Sequence, residues 1–390
     1  MNEYLPLLLV ISFSVIIFLV AKRKNFAVAI FAGAFILSIS IPDKIVDILI
    51  KTALDYRVVS LMAIVIMIKM LAVMLKETGQ IEKIISFLQS KLSYRGMLIA
   101  IPSILGLLPV PGGALLSAPL IDTHGKDAGV KKEELMAINL WYRHIWFIIF
   151  PLATPLVLLS DLSSFNIFLI IAAQIPMFLL AFFIGYLFVR KAKNVEMERE
   201  NGKGGWKSLL PVILPASLAI PLSMFMSTYL AFLISLPLGL LMAWKMAERW
   251  DRKIIKEGVS ITLALSIFAI MFLKNIIFES GLPEMISSHM SGMPPSIMIA
   301  LLSFIIGLLT AHNLAAIGIL YPVLSPFLDS LPMISLLYIS AFMGYLISPI
   351  HPCIVLTYEY FKPKFTDAYK LLIPPSIAVV VIATLFYSLL

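Results

Sequence analysis

Long apolar runs separated by short polar stretches fill the chain. They cover 5–21, 26–41, 58–75, 97–121, 135–159 and 166–189, and then 209–226, 229–244, 258–277, 296–327, 334–358 and 370–390. About 20 apolar residues are needed to cross the hydrocarbon of a bilayer, so these runs read as membrane helices. Between them, 42–56 is an amphipathic connector with Asp43, Lys44, Asp47 and Lys51. In 76–95, Ile81, Ile84, Ile85 and Leu88 recur at helical spacing in a polar, basic setting, which predicts a helix lying along the membrane surface. Residues 190–207 are charged, contain glycine and lack periodicity, which marks a soluble linker.

Four of the runs are interrupted. The first interruption is Gly106-Leu107-Leu108-Pro109-Val110-Pro111-Gly112-Gly113-Ala114. Proline removes a backbone donor and clashes with the preceding turn, and glycine adds backbone freedom. In hydrocarbon an unpaired peptide group is costly, so such a break survives only inside protein or beside a water-filled cavity. The others lie at 151–155, at 310–316 and at 348–352.

The interruptions belong to a longer repeat with an offset of about two hundred residues. Gly106-Leu107-Leu108 is echoed by Gly307-Leu308-Leu309. Glu77-Thr78-Gly79 with Glu82 and Ser86 is echoed by Glu279-Ser280-Gly281 with Glu284 and Ser288. Pro151 and Pro155 meet Pro349 and Pro352, Gln174-Ile175-Pro176 meets Leu372-Ile373-Pro374, and Leu5-Pro6 meets Leu210-Pro211. Matches that keep one order along the chain argue for internal duplication.

Composition agrees with the membrane reading. Of 390 residues, 61% are hydrophobic and 13% charged, with a mean hydropathy of +1.00, which no soluble domain shows. The net charge of +8 does not suggest a nucleic-acid partner, because Lys and Arg sit in short loops where they set orientation. The single Cys353 excludes an internal disulfide framework. No basic n-region or cleavage site precedes 5–21, so this run reads as a retained span.

Basic residues then fix a topology. With Lys22, Arg23 and Lys24 inside, the loops 76–95, 122–134, 190–207, 245–256 and 362–364 all fall inside, and the acidic 279–294 loop outside, provided that 97–121 and 296–327 enter and return as hairpins. Both termini are then outside the cell (inner) membrane. The expected fold is an all-α polytopic membrane protein of two inverted repeats, 1–190 and 208–390, joined by a cytoplasmic linker at 191–207. Each repeat has five transmembrane helices, one of them discontinuous, plus one re-entrant helical hairpin. The alternative is twelve full crossings.

The four breaks would meet near the midplane, where half-helix N-termini present unpaired N–H groups that suit an anion, particularly a carboxylate. Candidate substrate-binding residues are Pro111, Gly112, Gly113, Ala114, Ser117, Thr154, Thr310, His312, Asn313, Ser348 and His351. His312, His351, Arg143 and His144 are candidates for ion coupling, since imidazole titrates near neutrality and an intramembrane charge needs a cavity or a partner. Lys69 and Lys274 occupy corresponding spans and are more simply snorkelling residues. No Asp or Glu lies in any break, which disfavours a cage for a cationic substrate. No protein metal site and no cofactor are expected, apart from Na⁺ as a possible coupling ion.

This arrangement resembles the ion-transporter superfamily, which includes gluconate permeases, arsenite permeases, sodium–dicarboxylate symporters and the membrane subunit of tripartite periplasmic transporters. Within it, the run from Gly106 to Ala114 and its partner His312-Asn313 resemble a family of uncharacterised integral membrane proteins. The resemblance spans the whole chain. The Ser-Asn-Thr hairpin motif of the dicarboxylate symporters is replaced by Pro-Gly-Gly and His-Asn. The resemblance implies secondary transport by a homodimer. The expected function is import or export of a small organic anion, a carboxylate or sugar acid, coupled to H⁺ or Na⁺, and not an enzymatic activity. Two rivals are an intramembrane protease or lipid hydrolase built on His312 or His351, and a passive channel. Against an enzyme, the chain has neither a His-Glu-x-x-His pair nor a Gly-x-Ser-x-Gly elbow.

Overall fold

The computed structural model describes residues 4–22, 24–107, 113–193, 205–248, 250–289 and 292–390, and the described residues contain helices but no strand. The first ten helices are α1 (Leu5–Ala21), α2 (Phe26–Ser38), α3 (Ile45–Leu54), α4 (Tyr56–Glu77), α5 (Gln80–Gln89), α6 (Tyr94–Gly106), α7 (Gly113–Asp127), α8 (Lys132–His144), α9 (Thr154–Ser163) and α10 (Ile167–Val189). After the linker come α11 (Leu210–Leu222), α12 (Thr228–Lys245), α13 (Lys253–Gly258), α14 (Ile261–Glu279), α15 (Leu282–His289), α16 (Pro295–Thr310), α17 (Asn313–Leu324), α18 (Leu331–Ile347), α19 (Pro352–Phe361) and α20 (Phe365–Ser388). Among the described residues, seven segments are long and apolar enough to cross a membrane, and six shorter apolar helices accompany them.

The second series follows the first in order and in local chemistry. α4 and α14 both stop at a left-handed glycine, Gly79 at φ 78° and Gly281 at φ 73°, and a short amphipathic helix follows each. Only glycine adopts that conformation without a Cβ penalty. α9 and α19 each have 10 residues, carry proline in their first two positions and end on a left-handed residue, Ser164 and Lys362.

Contacts between the two series come in exchanged pairs. α2 packs on α14 and α12 on α4; α3 packs on α14 and α13 on α4. α7 packs on α19 and α17 on α9; α8 packs on α20 and α18 on α10. Within each series α6 lies against α7 and α8, as α16 does against α17 and α18.

α8 and α18 form the centre. Every residue from Leu135 to His144 is buried, and so is every residue from Ile334 to Ile347 except Tyr345. The 18-residue window in Leu331–Phe361 is 78% buried, against 28% in Phe365–Ser388. The outer helices instead turn Leu7, Phe18, Phe183, Leu187, Ile213 and Leu238 outward. A surface this apolar is stable only against hydrocarbon or another protein.

Polar side chains tie the connecting segments into two sets. In one, Gln80 Nε2 donates to the Met246 carbonyl (2.7 Å) and Ser208 Oγ to Gln80 Oε1 (2.6 Å), while Lys83 pairs with Glu248 (2.7 Å). Arg95 Nη2 donates to the carbonyls of Arg190 (3.0 Å) and Ala192 (2.5 Å), and Lys193 N to that of Ala128 (3.0 Å). In the other, Lys44 pairs with Glu279 (2.8 Å), Asn275 Nδ2 donates to Thr52 Oγ1 (2.9 Å), Tyr229 to Tyr56 (3.2 Å) and Asn166 Nδ2 to the Ser223 carbonyl (3.1 Å).

Three expectations about boundaries shift. The surface run 76–95 narrows to α5 and the start of α6. The connector 42–56 becomes a 3₁₀ turn, Pro42–Lys44, and α3. The run 135–159 breaks earlier than its prolines suggest, because α8 ends at His144 and a 3₁₀ turn, Ile145–Ile148, precedes the break.

Candidate functional site

The breaks lie where α6 gives way to α7, α8 to α9, α16 to α17 and α18 to α19. Helix ends leave N–H and C=O groups without intrahelical partners, so each break is defined by what satisfies them.

Of the first tip, Pro111 and Gly112 lie outside the described residues. Gly113 opens α7, and Ala114 and Ser117 in its first turns are buried. The Ala114 carbonyl accepts from Ser117 Oγ (3.3 Å) and from Asn139 Nδ2 of α8 (3.2 Å), and the same amide nitrogen lies 3.3 Å from Thr357 Oγ1 of α19. Asn139 therefore ties α7 to both of its neighbours. Its Oδ1 is buried with no hydrogen-bond partner.

α16 ends at Thr310, Ala311 is left-handed at φ 49°, and His312 caps α17 with Nδ1 accepting from Ala315 N (3.3 Å). As an acceptor, Nδ1 is unprotonated. The ring is half-buried and stacks on Phe26 at 4.6 Å with an interplanar angle of 13°. Thr310 Oγ1 donates to the Ile306 carbonyl (2.7 Å). Asn313, the first residue of α17, is buried beside Tyr338, whose hydroxyl is committed to the Phe147 carbonyl (2.7 Å). Neither polar atom of the Asn313 amide makes a hydrogen bond of good geometry, although the amide lies within reach of the Tyr338 hydroxyl.

At the break between α8 and α9, Arg143 and His144 lie at a helix end rather than in mid-span. Arg143 does not snorkel: it is buried, and Nη1 donates to the Leu105 carbonyl (2.9 Å), a group freed by the end of α6. His144 Nδ1 is 2.6 Å from the Leu140 carbonyl, so Nδ1 carries the proton and Nε2 its lone pair. Thr154 opens α9 and is half-buried.

At the fourth break Ser348 Oγ donates to the Leu308 carbonyl (2.6 Å). His351 precedes α19 without capping it by its side chain. Its ring centroid lies 4.2 Å from Tyr345 and 4.8 Å from His144, and His351 Nδ1 is buried with no partner. The ligand atoms of His144, His351 and Cys353 all lie within 4.8 Å of one another, a set able to hold a metal ion.

The candidates thus divide. Thr310, Ser348 and Ser117 have hydroxyls engaged with backbone, and His312 supports a helix start. Asn313 and His351 keep open hydrogen-bonding capacity in buried positions, and so does Asn139, which the sequence reading missed. Its signal is spacing, since Asn139 stands four residues before Arg143 in an apolar run and shares its helix face. Two cavities open away from these tips. One of about 340 Å³ is lined by Arg57, Ser160, Asp161, Asn166, Ser227 and Tyr229, and one of about 720 Å³ by Phe278, Glu284, Ser288, Tyr321 and Ser325.

Residues 6–390 match a family described as "Protein of unknown function (DUF401)". The chain belongs to that family. No curated protein matches it.

Proposed function

We propose that this DUF401 family member is a secondary active transporter that moves a small organic anion, a carboxylate or sugar acid, across the cell membrane, coupled to H⁺ or Na⁺. The observation that carries the reading is the exchange at the breaks: α17 of the second series packs on α9 of the first, and α7 of the first on α19 of the second. A two-fold relation between two copies of one unit requires such exchange, and it pairs the helices that follow the breaks across the two halves.

Several observations support the inverted topology. Arg95 in the first turn of α6 and Ala128 just after α7 both connect to residues 190–193. That fits a hairpin leaving from and returning to one side. Tyr321 and Ser325, at the end of α17, line a cavity with Phe278 and Glu284, which precede α16. The second hairpin reads the same way on the opposite side. Five crossings per half would invert the second copy. Lys83, Arg95, Arg190 and Lys193 belong to the linker-side set, and this basic character supports the reading in which that side is cytoplasmic and both termini are outside.

The chemistry of the breaks favours an anion. Arg143 supplies the charge, the starts of α7, α9, α17 and α19 supply backbone donors, and no carboxylate competes. Asn313 and His351 are the side chains with free capacity to select the substrate. Membership of the ion-transporter superfamily and a homodimeric assembly are part of the same proposal. Uptake of radiolabelled carboxylates and sugar acids by proteoliposomes tests it. Saturable, gradient-driven uptake supports the reading, and ungated linear flux sinks it.

A further inference from the structure

His144, His351 and Cys353 reach one point from three elements: the end of α8, the break before α19 and the first turn of α19. We propose that they form a binding site for a thiophilic d¹⁰ metal ion, Zn²⁺ or Cu⁺, which clamps α8 of the first series to α19 of the second.

The geometry is that of a site one contraction short of closure. The three ligand atoms lie within 4.8 Å of one another. Metal–nitrogen bonds of about 2.0–2.1 Å and metal–sulfur bonds of about 2.3 Å place donors roughly 3.3–3.6 Å apart in a tetrahedral site. Closing from 4.8 Å to that spacing requires side-chain rotation of the cysteine and the histidines.

The two histidines are prepared for the role. His144 donates through Nδ1 to the Leu140 carbonyl at 2.6 Å, which fixes its tautomer and leaves Nε2 as the ligand. A backbone carbonyl on the second ring nitrogen is the usual support of a metal-bound imidazole. His351 is 1% exposed and its Nδ1 has no hydrogen-bond partner. A buried polar atom left unpaired calls for an explanation, and an absent ligand supplies one. Cys353 lies in the first turn of α19, beside Arg143. Arg143 is itself anchored to the Leu105 carbonyl at 2.9 Å.

Donor softness selects the ion. Thiolate with two imidazoles suits Zn²⁺ and Cu⁺, whereas Mg²⁺ and Ca²⁺ need oxygen donors. The set holds no carboxylate, and three protein donors leave one coordination position open. Both readings use His351, but metal binding by the purified protein is read without transport, so failure of this site is distinguishable from failure of the proposed function.

Co²⁺ titration of the tag-free full chain in detergent tests the proposal, with Zn²⁺ as competitor. The expected result is one equivalent of Co²⁺ with a thiolate-to-cobalt charge-transfer band that Zn²⁺ abolishes. Zn²⁺ should also raise the thermal unfolding midpoint. Cys353→Ala should lose the band and the midpoint shift, His351→Gln should weaken binding by about tenfold or more, and His124→Ala should change neither. The band is read on the wild-type chain and needs no variant to fold. Co²⁺ binding without a sulfur band, or an undiminished Zn²⁺ shift in Cys353→Ala, overturns the site.

Discussion

A β-carbon placed on Gly307 would sit 2.0 Å from the carbonyl oxygen of Ala341. Gly106 stands in the same relation to Arg143, at 1.9 Å from its carbonyl oxygen. In both halves, then, the helix leading into a tip touches the helix leading into a break backbone to backbone. Small residues allow this approach between membrane helices, where van der Waals packing replaces the hydrophobic force between them.

Alanine at either position must push two buried helices apart. Gly307→Ala and Gly106→Ala are each expected to lower stability by about 1–3 kcal/mol, read as a lower unfolding midpoint in detergent. Gly292→Ala, where nothing lies within 4 Å, should leave the midpoint unchanged. Wild-type midpoints for both buried variants would contradict the close approach.

His312 allows capping to be separated from substrate recognition. Its Nδ1 caps α17 through Ala315 N, and asparagine is a good N-cap residue. His312→Asn should therefore keep the fold while removing the imidazole, whereas His312→Ala should cost about 1 kcal/mol of stability. If the ring recognises substrate, both variants lose about ten- to hundredfold in apparent affinity. If it only caps the helix, His312→Asn takes up substrate like wild type.

The sequence carried the architecture further than the site. Left-handed glycines at 79 and 281, the Gly106 and Gly307 pair and the four breaks were all visible as repeats, because each depends on a residue type that few others replace. Side-chain partners were not visible. Nothing in the sequence places Thr357 beside Asn139 or His351 beside His144, since those contacts cross between the halves. Arg143 read as an intramembrane charge in need of a cavity or a partner, and the structure supplies the partner: the helix stops at His144 and the guanidinium meets a carbonyl freed at another helix end.

Asn139 is expected to be a structural and functional hinge of the first tip. Asn139→Asp keeps the size but removes both donors and sets a carboxylate against the Ala114 carbonyl. It should destabilise by about 3 kcal/mol or more, while Asn139→Ala should cost about 1–3 kcal/mol. Chemical unfolding of the two variants compares them. An aspartate variant as stable as wild type would place the amide elsewhere.

Sidedness can be read with cysteines in a Cys353→Ser background. Glu82→Cys and Lys126→Cys should react with an impermeant reagent only from the cytoplasmic side, and Glu284→Cys only from outside. Labelling of Glu82→Cys and Lys126→Cys from opposite sides would mean that α6 and α7 cross the membrane, giving twelve full crossings.

Gradient-driven uptake at subsaturating substrate tests the central claim most directly, with wild type and Asn313→Ala in parallel. The proposed function predicts that an inward H⁺ or Na⁺ gradient accelerates wild-type uptake of a carboxylate or sugar acid, and the buried Asn313 amide at the start of α17 is the side chain assigned to select it. Asn313→Ala, folded to the same yield, should fall about tenfold or more below it. Uptake indifferent to both gradients, or equal in the two proteins, would contradict the account.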